Sequence, residues 1–302
     1  MKKVSIIIVN YNGENHLDEC LYSLQLQDYE PFDIIVVDNN STDKSVEIIK
    51  KYKDVKLIKL NENVGLAEGC NIGARESDGE FLCFVNNDMK FEKDFILELA
   101  KELSLDSDIF AVDAMHYNWS GDKILHAGSG FREVTFFKGH IPGYYLDPVL
   151  ILDKKIDVPW GCLANLMVRR DKFFELNGFD KTLFIDYEDA DLCWRAWLRG
   201  WRTVYVPSAK AYHKVGMSDE TVGISEKRLF HQQKNFMRFI LKNMDNDIVL
   251  KMIFSLPMRA FSYILKGKFR LLKAIAKGFF RILSDFSEIL KERGRIKINK
   301  KL

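Results

Sequence analysis

Short apolar runs alternate with segments of helical periodicity through the first half of the chain, and this alternation constrains the fold more than any other feature. Val4–Val9, Asp33–Val37, Val55–Leu60 and Glu80–Val85 read as strands. Between them, Glu14–Leu26 carries Leu17, Cys20, Leu21 and Leu24 at helical spacing, Ser45–Tyr52 reads as a shorter helix, and Gly65–Arg75 opens a third. A βαβα order predicts an α/β fold with a mainly parallel sheet flanked by helices. In open sheets of this kind ligands sit outside the carboxyl ends of the strands, so the polar residues there are the first candidates for chemistry.

The second half is less regular. Residues from about 115 to 159 are rich in glycine and aromatics and read as hairpins and loops able to contact an acceptor. Val158–Arg169 returns to strand character, Asp191–Arg199 is helical, Thr203–Val206 is a strand and Glu226–Asn243 a helix. The 302 residues allow one large domain, 1–243, and an appendage, 244–302. Five cysteines, an odd number without CxxC spacing, argue against a disulfide framework or structural zinc and suit a reducing, cytoplasmic compartment. The N-terminal apolar run is short and ends in polar Asn10-Tyr11-Asn12, so it reads as a buried strand rather than a signal peptide. No stretch reaches the roughly 20 apolar residues of a membrane span.

Each strand end carries polar residues with two readings. Asp38 follows its strand in VDNNSTD; it is placed to accept a base imide hydrogen and ribose hydroxyls, or to form an Asx turn that caps the next helix. Asn63-Val64-Gly65 precedes Gly69, Asn71 and Gly73; small residues at a helix start admit a phosphate, or simply close packing. Asp88 ends Asn86-Asn87-Asp88 after its strand, a position for a divalent cation or for a plain polar turn. Asp186, Glu188, Asp189 and Asp191 cluster before a helix in FIDYEDADLCWRAWLRG. Asp191 is the expected N-cap, and the helix dipole there favours ionised Glu188 and Asp189, as a general base requires. His213 follows Pro207 and the end of a strand, where a neutral imidazole can complete a metal site; the other five histidines show no supporting arrangement.

The combination is more specific than its parts. VSIIIVNYNG, VDNNSTD, NVGLAEGCNIG, FVNNDM, GCLANLMVRR, GFDKTLFIDYEDADLCWRAWLRGW and HKVGMS occur in this order over about residues 3–243. Together they resemble family 2 of the inverting glycosyltransferases, and within it the rhamnosyltransferase-like branch that builds surface polysaccharides. The resemblance implies a Rossmann-like GT-A fold and transfer of a hexosyl group, rhamnosyl included. The donor would be a dTDP-, UDP- or GDP-linked sugar, and the acceptor a hydroxyl of a glycan, lipid-linked in related enzymes. It further implies that Asn10, Tyr11 and Asp38 hold the base and ribose, and that Asn63, Gly65, Asn71 and Asn87 line the nucleotide pocket. Gly161 would shape the floor under the donor sugar. Asp88 and His213 would hold Mn2+ or Mg2+ on the diphosphate, with Asn86 and Asn87 lowering the charge where the family's motif begins. Asp189 matches the family's base, with Glu188 the second choice. Asn165, polar inside an apolar run, has no role that the sequence assigns.

Charge separates the C-terminus from the rest. From Ile248 onward there are 14 Lys/Arg against three Asp/Glu, a net of +11, while the remainder carries 31 against 40, a net of −9. Over residues 258–290 an apolar stripe of Phe261, Leu265, Phe269, Leu272, Ala276, Phe279, Leu283, Phe286 and Leu290 lies beside a basic one of Lys266, Arg270, Lys273, Lys277 and Arg281. This pattern predicts an amphipathic helix on an anionic membrane surface, at the inner face of the cell membrane. Docking on the catalytic domain or in a homo-oligomer is the alternative. The aliphatic stripe argues against nucleic acid as the partner. Two rival functions remain: a sugar-nucleotide-binding protein of weak catalytic power, and a nucleotidyltransferase, for which Asn10–Asn15 lacks the Gly-rich basic loop.

Overall fold

The computed structural model describes residues 1–130, 144–145, 154–214 and 225–297. Four parallel strands, β1 (Val4–Asn10), β2 (Phe32–Asp38), β3 (Val55–Lys59) and β4 (Phe81–Asn86), form one half of the sheet. Helices α1 (Leu17–Gln25), α2 (Ser45–Ile49) and α3 (Leu66–Arg75) connect them. The continuous VSIIIVN of β1 follows from burial on both faces: Ile6 and Ile8 meet Leu17, Leu21 and Leu24 of α1, whereas Ile7 meets Ala67 and Ala74 of α3.

The second half follows as β5 (Met89–Phe91), α4 (Phe95–Leu105), β6 (Ile109–Asn118), β7 (Ile124–His126), β8 (Ser129–Gly130) and β9 (Tyr144–Tyr145). Next come β10 (Ile156–Val158), β11 (Asn165–Arg169), α5 (Arg170–Glu175), α6 (Glu188–Trp197) and β12 (Arg202–His213). The main sheet runs β10-β12-β6-β11-β4-β1-β2-β3, with β5 on β12 and β7 on β6. β11 is antiparallel to both β4 and β6, and β12 is parallel to β6. The fold is thus a mixed, mainly parallel α/β sheet of GT-A type, as expected from the alternation.

Several boundaries differ from the sequence reading. The run Val158–Arg169 is two strands separated by a loop at 159–164. The irregular region begins later than Met115, since β6 continues to Asn118. Pro207 does not end its strand; the register of β12 against β6 shifts between Val206 and Lys210, a bulge that accommodates a residue without an N–H, and β12 continues to His213. Much of the expected acceptor region, 131–143 and 146–153, and residues 215–218 of HKVGMS lie outside the described residues.

The described residues after β12 form three helices, α7 (Glu226–Asn243), α8 (Asn246–Leu265) and α9 (Phe269–Lys297). The single helix expected over 258–290 is broken at Gly267, whose φ of +63° turns the chain between α8 and α9. The length reading needs correction as well: α8 has 20 residues and is apolar enough, by length and composition alone, to cross a membrane. Α-helical packing joins α8 and α9 to α7 through Met252, Ile240, Ile282 and Ile289.

A buried ion network ties α7 to the sheet domain. Lys242 meets Asp180 at 2.7 Å and Asp191 at 2.5 Å, Arg195 meets Asp191 at 2.8 Å, and Arg238 bridges Asp180 and Glu292 of α9. Burial alone would raise the Asp180 and Asp191 carboxyls; Lys242 with Arg238 or Arg195 outweighs it and holds both below the usual range. Asp191 is therefore an interior tie and not the expected N-cap, a place taken by Tyr187. Removing one member of such a network leaves a buried charge uncompensated. Asp191→Ala is expected to cost about 3–5 kcal/mol, read as a lower midpoint in chemical denaturation.

Candidate active site

The carboxyl ends of β1, β2 and β4 lie side by side, because the register pairs Asn10 with Asp38 and Val9 with Asn86. At this rim Asn10 donates from Nδ2 to Asp38 Oδ1 at 3.1 Å and accepts at Oδ1 from Asn87 Nδ2 at 2.7 Å. Asp38 Oδ2 also accepts from the Ser41 N–H. The Asp38 carboxylate is nearly fully buried, while Tyr11 stands half exposed beside it. The loop after β2 does not only cap its own helix. It is stitched to the loop after β1: Ser41 Oγ accepts from Asn12 N–H, Asn12 Oδ1 from Thr42 N–H and Ser45 Oγ from Gly13 N–H.

The pairing of β5 with β12 sets His213 opposite Met89 and so beside Asp88, 125 residues away. His213 Nε2 lies 3.1 Å from Asp88 Oδ1. Burial alone would raise the Asp88 carboxyl, but the hydrogen bond and charge of His213 outweigh it and hold the group below its usual range. A carboxylate oxygen suits Mn2+ or Mg2+, and a neutral imidazole nitrogen can complete such a site. Among the described residues no third His, Cys, Asp or Glu joins them, so diphosphate oxygens and water would complete the shell.

One short loop connects this rim to Asp189. The Cys162 N–H donates to Asp113 Oδ1, the Leu163 N–H donates to Asp189 Oδ2 at 3.1 Å, and the Ala164 carbonyl accepts from the Asn86 N–H at 3.3 Å. Gly161 starts the loop and passes close over Asp113, where a Cβ would fall 2.8 Å from Asp113 Cβ. Asp38, Asp88 and Asp189 are thereby brought to one edge of the sheet.

Two expected pocket residues, Asn71 and Gly65, also hold the fold together. Both amide hydrogens of Asn71 are used: Nδ2 donates to Glu68 and to the Phe179 carbonyl, and Oδ1 accepts from the Phe179 N–H. It clamps the 178–179 turn. The start of α3 is not an open anion site, since the Leu66 and Ala67 N–H groups both donate to the Phe184 carbonyl. Gly65 is required there by its φ of +89° and by the Phe184 ring against it, and Asn63 Oδ1 accepts from its N–H.

The segment before Asp189 is strained. Phe184, Asp186 and Tyr187 all have positive φ, which costs on the order of 1–3 kcal/mol each for such residues. Asn235 of α7 holds it: its Nδ2 lies 2.6 Å from the Leu183 carbonyl and 2.7 Å from those of Ile185 and Asp186. Arg228 pairs with Asp186 at 3.3 Å, and His231 stacks on Phe184 at 4.8 Å.

Behind His213 lies a group the sequence reading dismissed. His116 contacts His213 edge-on and stacks on His126 at 5.0 Å. His126 Nε2 meets Asp113 Oδ2 at 2.6 Å, and Asn165 Nδ2 meets His116 Nδ1 at 3.2 Å and the Ala114 carbonyl at 2.8 Å. Burial and the neighbouring imidazoles push His116 well below its usual value. Asn165 thus has its account: it satisfies an interior that supports the rim. Asp113, alone in the apolar IFAVDAM, carried a readable signal; Asn235, one polar residue among many on α7, carried none.

The sequence profile of Glycosyl transferase family 2 matches residues 5–173, more than half of the chain. The chain belongs to glycosyl transferase family 2. It is 34% identical over 158 residues to the poly(ribitol-phosphate) beta-N-acetylglucosaminyltransferase TarS of Staphylococcus aureus, a match that covers 50% of this chain and only 27% of TarS. It is 28% identical over 223 residues to the Escherichia coli rhamnosyltransferase WbbL, covering 70% of this chain and 83% of WbbL. A mannosyltransferase from Pyrobaculum calidifontis, solved with GDP-Man and Mn2+, has the same fold at a TM-score of 0.59 and 16% identity, over 93% of this chain and 75% of that one.

The surroundings of the acid pair oppose what the helix dipole alone would favour. Burial pushes Asp189 up to about 6, with the charges of Asp186 and Asp113 adding to the rise and the Leu163 and Ala190 N–H groups opposing it. Glu188 is buried, and desolvation and the adjacent Asp189 push its carboxyl well above the usual range. The Glu188 Oε2 has no hydrogen-bond partner among the described residues. Burial and like charge outweigh the half-charge of a helix end. Glu188 therefore lacks the solvation that a carboxylate base needs, and Asp189, partly open, is the group of the pair suited to accept a proton.

Two outcomes follow from this geometry. If Asp189 must be ionised to act, kcat/KM falls about tenfold for each pH unit below about 6 and is flat just above it; a pH–rate profile reads this directly. Asn235→Leu removes the donor to the part-buried Ile185 and Asp186 carbonyls, a loss of about 1–3 kcal/mol. It is expected to lower the unfolding midpoint and to reduce kcat with little change in the donor KM. Unaltered turnover below the transition would show the 184–187 segment to be self-supporting.

Proposed function

We propose that the chain is an inverting transferase of the rhamnosyltransferase-like branch. It would move a hexosyl group from a nucleoside-diphosphate sugar to a hydroxyl of a lipid-linked glycan at the cytoplasmic face of the cell membrane, in surface-polysaccharide assembly. The observation that carries this reading is the 162–164 loop, which joins the Asn86–Asp88 turn and Asp189 through consecutive backbone groups. The carboxylate that would accept the proton and the turn that would meet the diphosphate are thus tied to two adjacent residues, Leu163 and Ala164.

The residues divide the work. Asp38 and Asn10, with Tyr11 exposed above them, hold base and ribose; Asp38 still has lone pairs for a ligand donor beyond Asn10 and Ser41. Asn63, Gly65 and Asn87 border the nucleotide, and Gly161 keeps the floor below the sugar low. Asp88 and His213 would hold Mn2+ or Mg2+, whose charge stabilises the departing diphosphate when bound. Asp189 accepts the acceptor hydroxyl proton as the hydroxyl oxygen bonds to the anomeric carbon. The bond from that carbon to the phosphate oxygen breaks, and the nucleoside diphosphate leaves with the electron pair. A single displacement inverts the anomeric centre.

A positioned base contributes about 10²–10⁴-fold in rate. Asp189→Asn is accordingly expected to lose turnover by about that factor while its affinity for the donor stays nearly unchanged. The donor is first found by thermal shift with dTDP-, UDP- and GDP-sugars, with and without Mn2+. Sugar transfer by the variant at the wild-type rate would remove Asp189 from the role. Binding of donor without transfer or hydrolysis by the wild type would favour a binding protein instead.

A further inference from the structure

Helix α9 is apolar on two faces, and only one of them is used inside the protein. Ala274, Ile275, Gly278, Ile282 and Ile289 are buried. Gly278 lies so close to α7 that a Cβ would sit 2.9 Å from Met237 Cε. At 100° per residue, Leu283, Phe286 and Leu290 fall on a different arc from this docking line. They remain 43–53% exposed, and Phe280 is 69% exposed. These four lie outside the docking face, on which Asp285 and Glu292 also project. Three of them come from the stripe legible in the sequence, which is therefore not the stripe that packs.

Helix α8 behaves in the same way. Met252 faces α7 and α9, whereas Phe254, Phe261 and Leu265 are 61–71% exposed. The two helices run antiparallel, because Arg293 near the end of α9 bonds Asn246 at the start of α8 while a three-residue turn joins their other ends. Their outer faces together expose more large apolar side chains than a soluble surface ordinarily carries in one region. Lys266 and Lys268 flank the connecting turn, and Arg270, Lys273 and Lys277 continue along α9, all exposed.

We propose that the outer faces of α8 and α9 dock the chain flat onto an anionic lipid bilayer. The apolar side chains would enter the interface, and the lysines around the α8–α9 turn would meet anionic headgroups. Charge selects this occupant over a second copy of the chain, since a two-fold contact would set the same basic rim against itself. Packing selects a surface helix over a span. Arg259 of α8 donates to Gln233 of α7 at 2.9 Å and lies over the Phe236 ring at 5.3 Å, so crossing the membrane would strip α8 from its partners. Helix α7 also carries Asn235 and Lys242, which fix the segment and helix of Asp189. Docking would hold the proton acceptor at a set height above the lipid. That last consequence rests on the glycosyltransferase reading; the docking itself does not.

The test is flotation of the full-length chain with vesicles of phosphatidylcholine alone or mixed equally with phosphatidylglycerol, without donor or acceptor. Wild type is expected to float with the mixed vesicles and not with the neutral ones. Phe254→Asn with Phe261→Asn is expected to abolish flotation at an unchanged melting temperature. Lys266→Gln and Lys268→Gln are each expected to weaken binding about fivefold, which keeps the test decisive if the apolar variant unfolds. Failure of wild type to bind mixed vesicles overturns the proposal. So does a dimer in sedimentation that the Phe254→Asn, Phe261→Asn variant dissolves.

Discussion

Three consecutive backbone groups, the Cys162 and Leu163 N–H and the Ala164 carbonyl, hold the site together. They reach Asp113, Asp189 and Asn86, three positions that come from β6, α6 and the end of β4. Adjacent peptide groups are held at a fixed spacing, so the loop sets the distance between the proposed base and the turn after β4 more firmly than long side chains would. It can do so because β11 runs antiparallel between β4 and β6, which puts its amino end at the rim where those two strands end. An all-parallel sheet would have sent that loop to the opposite edge.

The rest of the site is arranged around the cost of presenting Asp189. Three residues with positive φ bring it to the rim, two of them large aromatics. That conformation persists because outside partners over-determine it: the α3 N-terminus takes the Phe184 carbonyl, Asn235 takes its neighbours, and Arg228 takes Asp186. The helix start that resembles an anion site is thus occupied by the protein's own chain. The same enclosure desolvates Glu188 and Asp189 and moves Asp189 toward neutrality, where a general base is most effective. Strain, burial and basicity have one source.

The C-terminal helices are an extension of this support. Their ion network runs from Glu292 through Arg238, Asp180 and Lys242 to Asp191, two residues from Asp189. A buried network of this kind contributes little net stability but penalises any other arrangement of its members. Whatever α8 and α9 rest against is therefore linked mechanically to the helix that bears the acids.

The sequence by itself determined the sheet and its rim. Periodicity placed β1 to β4 and their helices within a few residues, because strands covered on both faces must be continuously apolar and helices between them must be amphipathic. It also marked Asp38, Asp88 and His213 near strand ends and Asp189 at a helix start, polar residues whose order matches a family. Only the tertiary structure decided what needs two distant segments at once. It assigned Asn71 and Asp191 to packing, gave Asn165 and the His116–His126 pair a place behind His213, and showed Asn235 gripping a segment about 50 residues away. It also separated the docking face of α9 from the exposed one. Hydrogen-bond partners and desolvation are properties of the folded neighbourhood, and no spacing along the chain encodes them.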